Sequence, residues 1–93
     1  MTASWLPEAA TWYRAQLDRD EQYALMVEGI AAHRAAQTRK AVAARRAVLD
    51  WLLILDQQMA EANWWSGPSV AEPVAALLAE YADRPGYDDR WRP

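Results

Sequence analysis

The sequence has no cysteine, no phenylalanine and only three glycines, and two of these shortages exclude whole classes of protein. Without cysteine the chain has no disulfide framework and no thiolate zinc site, which fits a reducing compartment. Three glycines form no glycine-rich phosphate loop, and no G-x-S-x-G nucleophile elbow is present. The longest apolar run, VLDWLLIL at 48–55, contains Asp50 and is far shorter than a membrane span.

The N-terminus lacks the basic stretch followed by an apolar stretch that marks a secretory signal. We therefore expect a soluble cytoplasmic protein with no membrane span. A chain of 93 residues predicts one domain, and helix-forming residues dominate it without the alternation of a strand. The sequence therefore predicts a single all-α domain over residues 1–93.

The first predicted helix spans about residues 6–28. Pro7 suits a first helical turn, Glu8 suits the positive end of the helix, and Gly29 is the first strong breaker. Four apolar residues recur at helical spacing, with Ala10 between them, and predict the buried stripe: Leu6, Tyr13, Leu17 and Ala24.

The second predicted helix, about 31–62, contains no glycine and no proline. One set of residues falls within an arc of about 80° and predicts a buried stripe: Ala41, Ala44, Val48, Leu52, Leu55, Met59 and Ala62. Val42, Leu49 and Leu53 lie on an adjacent arc, and Trp51 and Ile54 lie elsewhere again. The segment 48–55 is therefore apolar nearly all round, which predicts cover from two helices, or from one helix and a second subunit.

A third helix is predicted at about 70–83, after the loop signal Gly67-Pro68 and the capping pattern Ser69…Glu72. It would bury a face made of Val74, Leu77, Leu78 and Tyr81.

The tail 84–93 ends in large aromatic residues, and we expect Tyr87 and Trp91 to cover the groove between the second and third helices. The predicted fold is an antiparallel helical hairpin with a short third helix and an ordered aromatic tail, assembled as a dimer.

The inventory of catalytic side chains is poor. His33 is the one histidine and has no partner at metal-ligand spacing. We interpret the acidic pairs Asp18/Glu21 and Asp88/Asp89 as charged side chains on the solvent-exposed surface, and not as a catalytic or metal site. We expect no enzyme activity, no metal and no cofactor.

Residues 30–46 carry five basic side chains and no acidic one, while the segments on either side are acidic. Placed on a helix, the five surround its axis instead of forming one stripe, which disfavours nucleic-acid binding. A hairpin would instead pair them with acids of the first helix, namely Asp18, Asp20, Glu21 and Glu28. Nucleic-acid binding or a transcription accessory role stays the alternative function, carried by Arg34, Arg39, Lys40, Arg45 and Arg46.

Two adjacent tryptophans, Trp64 and Trp65, cannot both face one core. Either both are tucked under the loop and tail, or one fills the end of the bundle while the other is exposed at an interface, where tryptophan is enriched. The residues that we expect to bind a partner are Trp51, Ile54, Trp64 and Trp65.

The tail AEYADRPGYDDRWRP at 79–93 resembles the C-terminal signature YADxPxYDxxWxP of a family of small uncharacterised actinobacterial and actinophage proteins. The stretches at 12–24 and 31–52 are similar to helices of that family, although its longer middle segment and its His-Asp-Pro motif are missing here. The resemblance carries no activity and implies an actinobacterial or phage origin and a cytoplasmic setting. The residues matching the signature are Tyr81, Ala82, Asp83, Pro85, Tyr87, Asp88, Trp91 and Pro93.

The favoured functional hypothesis is a helical protein–protein interaction protein that forms a homodimer. If a phage encodes it, it would bind a host protein, for example a coiled-coil growth or division scaffold. An enzyme, or a subunit of one, ranks last.

Overall fold

Two long antiparallel helices form the frame of the molecule. In the computed structural model, which describes residues 4–62 and 69–93, helix α1 spans Leu6–Val27 and helix α2 spans Ala32–Glu61. A short helix α3 follows at Ala71–Ala79, and a single 3₁₀ turn lies at Asp89–Trp91. The described ranges contain no strand. The predicted all-α hairpin with a short third helix is confirmed.

Helix α1 begins and ends close to its sequence signals. Pro7 lies in the first turn, and the chain leaves the helix one residue before the predicted end. The N–H groups of Ile30 and Ala31 both donate to the carbonyl oxygen of Val27, at 3.0 and 2.8 Å, and so close the turn into α2. The predicted stripe is buried along its whole length: Leu6, Ala10, Tyr13, Leu17 and Ala24.

Helix α2 buries a different arc from the one predicted. Its buried residues are Ala35, Val42, Leu49 and Leu52, whereas Ala44, Val48 and Ala62 of the predicted stripe are exposed. The reason is that α1 and α3 pack against α2 over one side, and this side is centred on the neighbouring arc. The other helices leave part of 48–55 exposed, so the predicted cover by two helices of the chain is wrong, whereas cover by one helix and a second subunit stays a prediction.

Helix α3 is shorter than predicted. Ser69 Oγ accepts a hydrogen bond from the N–H of Ala71 at 3.1 Å, just ahead of the first turn. After Ala79 the chain continues in separate turns, in which the N–H of Arg84 donates to the carbonyl of Tyr81 at 3.0 Å. Val74, Leu78 and Tyr81 are buried as predicted, whereas Leu77 of the predicted face is half-buried.

The hydrophobic core lies in the half of the hairpin that is remote from the α1–α2 turn. It joins the first three turns of α1 to the centre of α2, to α3 and to the tail, whereas the half nearer the turn buries mainly the small side chains of Ala24 and Ala35. Stability therefore depends on a few large residues at one end of the molecule. These include Leu6, Tyr13, Leu17, Leu49, Leu52, Val74, Leu78, Tyr81 and Trp91.

Candidate functional site

The aromatic tail packs on α1. The rings of Trp12, Tyr87 and Trp91 contact one another pairwise, with centroids 5.7 Å (Trp12–Tyr87), 5.4 Å (Trp12–Trp91) and 5.6 Å (Tyr87–Trp91) apart. Trp91 is only 2% exposed. The tail is ordered as predicted, but the ring partner is Trp12 of α1, and not a side chain in the groove between α2 and α3. These aromatic residues therefore serve the fold.

Gly86 allows the tail to approach Trp12 closely. Trp12 Nε1 donates a hydrogen bond to the carbonyl oxygen of Pro85 at 3.1 Å. Gly86 has a φ of 90°, and a Cβ at this position would lie 2.6 Å from Trp12 Nε1. Glycine is the residue that meets both requirements without strain.

Charged groups hold the 3₁₀ turn against α1. Asp88 accepts hydrogen bonds from the guanidinium of Arg90 at 2.7 Å and from its backbone N–H at 2.9 Å, and these bonds, the first above all, hold the pKa of Asp88 below its usual range. Arg90 also contacts Glu8 of α1 at 3.2 Å. Because folding lowers the pKa of Asp88, its ionised carboxylate stabilises the fold at neutral pH. This stabilisation is lost as the pH falls through the pKa of Asp88 in the folded protein.

A second polar cluster ties the turn after α3 to α1. The hydroxyl of Tyr81 donates to Asp20 at 2.9 Å, and Arg84 contacts the same carboxylate at 3.0 Å. The Arg84 guanidinium lies over the Tyr81 ring, 4.0 Å from its centroid. Burial, followed by the hydrogen bond to Asp20, raises the pKa of Tyr81. This carboxylate is therefore engaged in holding the fold.

The Tyr13 hydroxyl is buried and has no hydrogen-bond partner among the described residues. Burial, with the neighbouring Tyr81 as the next cause, raises the pKa of Tyr13 to about 12. A tyrosine with a raised pKa stabilises the fold fully below its unfolded pKa of about 10, and this stabilisation is lost as the pH rises towards the folded value.

We expect the Tyr13→Phe variant to be as stable as the wild type at neutral pH, or slightly more stable, because the variant removes an unpaired buried hydroxyl. Above about pH 10 it should lose less stability than the wild type. Urea unfolding at neutral and alkaline pH measures both effects, and the exposed Tyr23→Phe change is the matched control. An alkaline loss as steep in Tyr13→Phe as in the wild type would contradict the prediction.

Three of the five basic side chains of residues 30–46 are paired with acids. Arg39 pairs with Glu28 at 2.9 Å, and Arg46 pairs with Asp18 at 2.6 Å and also with Glu21. These pairs with α1 were predicted, whereas Arg45 instead contacts Glu80, beyond α3, at 2.9 Å.

Arg34 and Lys40 are exposed and have no ion pair within the described ranges. Two free cations offer a phosphate backbone little attraction on a chain of net charge −3. His33 is exposed in the first turn of α2.

A group of apolar side chains faces solvent along one side of α2. We call this group the α2 face, and it consists of Ala44, Ala47, Val48, Trp51 and Ile54. Trp51 is 62% exposed and Ile54 is 55% exposed, and the rest of the described chain leaves them open. Trp64 and Trp65, the other two residues predicted to bind a partner, lie outside the described residues.

A second apolar group lies at the α1–α2 turn and was missed from the sequence. We call it the hairpin tip, and it consists of Leu25, Met26 and Ile30, all of them exposed. Ile30 is 91% exposed because it lies in the turn itself. The large apolar residues next to Gly29 were the available signal.

An open groove of about 410 Å³ lies between the two long helices, near the turn after α3. Its charged residues are already paired, since Asp20 binds Tyr81 and Arg84, and Arg45 binds Glu80. The groove is lined by Asp20, Tyr23, Gln37, Thr38, Ala41, Arg45 and Tyr81.

In the part of the chain that the structure describes, no three His, Cys, Asp or Glu side chains are placed so that they could hold a metal ion together. Over the same residues, every helix is too short or too polar to cross a bilayer.

No curated protein and no solved structure matches the chain significantly. A sequence profile described as a family of unknown function (DUF6221) matches residues 25–93. The resembling stretches at 31–52 and 79–93 lie within this range, and the stretch at 12–24 lies before it. Since the match covers most of the sequence, the chain belongs to the DUF6221 family.

Proposed function

We propose that the chain is a non-enzymatic protein–protein interaction protein that contacts its partners through the α2 face and the hairpin tip. The observation that carries the proposal is the exposure of large apolar side chains in two separate groups. Single exposed apolar residues are ordinary, but contiguous groups of them mark interaction surfaces.

The composition of the α2 face supports this function. Trp51 and Ile54 are one helical turn apart, and Ala44 and Ala47 on the same side leave room for a partner to approach closely. Burial of apolar surface contributes roughly 25 cal/mol per Å², and tryptophan is enriched among the residues that dominate binding. A helix laid along this face could contact every one of these positions.

The hairpin tip has a different chemistry. Met26 and Leu25 are flexible side chains beside the turn residue Ile30. Methionine adapts its shape to irregular partners, so this surface suits a protein whose contact is less regular than a helix.

The setting that we propose is the cytoplasm of an actinobacterium, with the gene carried either by the bacterium or by a phage. The support is the resemblance of residues 79–93 to the signature of small actinobacterial and actinophage proteins. The partner that we propose is a cognate or host protein with exposed helices, for example a coiled-coil growth or division scaffold.

An affinity pull-down from an actinobacterial lysate tests the function. The intact chain is compared with Trp51→Ala/Ile54→Ala, with Met26→Ala/Ile30→Ala, and with the control Gln22→Ala, which changes an exposed polar residue of α1. We expect a specific captured protein to be retained by the control and lost with at least one double variant. The purified prey should then bind the intact chain directly. Capture that is identical for all four chains would contradict the proposal.

A further inference from the structure

The α2 face is graded in size along the helix. Its N-terminal part is made of the small residues Ala44 and Ala47, Val48 of intermediate size follows, and its C-terminal part is made of the large residues Trp51 and Ile54. The seam that we consider consists of the two alanines, Trp51 and Ile54. These four positions are separated by three, four and three residues, which is the spacing of a coiled-coil seam. At 100° per residue they lie within an arc of about 80° on the exposed side of α2.

We propose that the α2 face is occupied by a second copy of this chain, with the two α2 helices antiparallel. This inference rests on the proposed function and names the partner of one of its two surfaces. An antiparallel dimer uses the same patch on both subunits, so each position contacts a position at the opposite end of the patch.

The size grading favours the antiparallel direction. We place the two-fold axis on the exposed side of α2, at the height of position 49 along the helix. Ala47 then lies opposite Trp51 of the partner copy, and Ala44 lies opposite Ile54 of the partner copy. Each large side chain then fills the space left by a small one, as close packing requires. A parallel pair would set Trp51 against its own copy and leave the alanines facing each other across a gap.

Charge favours the same direction. Lys40 lies on the same side of α2, one turn before Ala44, and has no ion pair within the described ranges. Antiparallel pairing brings it to the turn that contains Gln58 and Glu61, where it meets an acid. Parallel pairing would instead place Lys40 beside Lys40 of the other copy, and like charges at close range repel.

The paired α2 helices do not extend as far as the hairpin tip. Ile30 lies 19 positions from Leu49 along the chain, or roughly 28 Å from the two-fold axis at 1.5 Å per residue. In this register the last turn of the partner's α2 reaches only to about Gln37. Neither α2 helix of the dimer therefore reaches the hairpin tip of its partner.

Cysteine crosslinking tests the proposal cleanly, because the chain has no cysteine of its own. Lys40→Cys and Gln58→Cys variants are prepared separately, and both sites lie outside the apolar residues of the face. In the proposed register position 40 of one copy and position 58 of the other are neighbours, whereas the same position in the two copies is separated by roughly 27 Å. A disulfide requires Cα atoms within about 7 Å.

We expect the mixed variants to form a crosslinked dimer under mild oxidation, and each variant alone to form almost none. Adding Trp51→Ala to both chains should weaken the self-association roughly 30-fold and remove the crosslink, as loss of a binding anchor does. Met26→Ala, at the hairpin tip, should leave the crosslink unchanged.

Two results would overturn the proposal. Efficient crosslinking of either single variant with itself would show a parallel pair. Absence of crosslinking, in chains that sediment as monomers, would show that a second copy is not the occupant. If the chains are monomers, a lysate protein captured through Trp51 and Ile54 would still support the proposed function, with a different partner on the α2 face. If every variant captures the same proteins as the intact chain, both the dimer and the proposed function are contradicted.

Discussion

Replacing Trp91 with alanine is expected to lower the free energy of unfolding by about 3–5 kcal/mol. The indole is buried, and it contacts both Trp12 and Tyr87. Truncation removes these contacts and leaves a cavity at the point where the tail meets α1. For a chain of this size the loss is a large part of the total stability, which is on the order of 5–10 kcal/mol.

Urea unfolding followed by circular dichroism measures the effect. Trp91→Phe should cost less than the alanine change, because Nε1 of Trp91 has no hydrogen-bond partner among the described residues and the aromatic contacts are largely kept. Trp51→Ala is the matched control, since it truncates the same side chain at an exposed site. It should change the unfolding free energy of the monomer by less than about 0.5 kcal/mol. Equal losses at the two positions would contradict the assignment of Trp91 to the fold and Trp51 to binding.

The Gly86→Ala variant should lose about 2–3 kcal/mol. The left-handed backbone at φ 90° costs an alanine roughly 1–2 kcal/mol. The new Cβ would also lie 2.6 Å from Trp12 Nε1, so the indole must move and lose its hydrogen bond to Pro85, at about 1 kcal/mol.

Gly29→Ala provides the control for this prediction. An added Cβ at Gly29 meets nothing within 4 Å, and its φ is outside the left-handed region. We expect Gly29→Ala to be neutral or to stabilise by up to about 1 kcal/mol, because alanine restricts the unfolded chain. Thermal unfolding of the two variants separates the cases. A Gly86→Ala protein as stable as wild type would mean that the tail does not pack on Trp12 as described.

Helical periodicity in the sequence was enough to predict the stripe on α1 but not the buried arc of α2. The apolar residues of α1 near the core fall on one side of the helix, so only that side could be the buried one. Around 48–55 α2 is apolar on nearly every side, and the sequence alone does not say which arc the other helices cover. Packing of α1 and α3 selected Val42 and Leu49 and left Val48 exposed.

The tail shows a different limit of sequence analysis. Its aromatic residues indicated that it is ordered, because large buried side chains at a terminus need a partner. The partner, Trp12, lies more than seventy positions away in the sequence, and no local periodicity connects it to Tyr87 or Trp91. The positive φ of Gly86 is part of this packing of the tail on Trp12, so the sequence alone did not predict it either.

Some ion pairs between α1 and α2 were predictable because a hairpin with a short turn fixes which residues lie opposite each other, whereas the pair between Arg14 and Asp50 was not predicted. Glu28 with Arg39, and Asp18 and Glu21 with Arg46, follow from that register. The partner of Arg45 is Glu80, which comes from the segment after α3, and the hairpin register says nothing about that segment. Such exposed pairs fix alignment and add little stability.

Sedimentation equilibrium of the intact chain over about a hundredfold range of concentration is the most direct test of what covers Trp51 and Ile54. We predict an equilibrium between the 10.6 kDa chain and a species of twice that mass, and a shift to the single chain in Trp51→Ala with the unfolding free energy of the monomer retained. A single 10.6 kDa species at every concentration, or a dimer unaffected by Trp51→Ala, would contradict pairing through the α2 face.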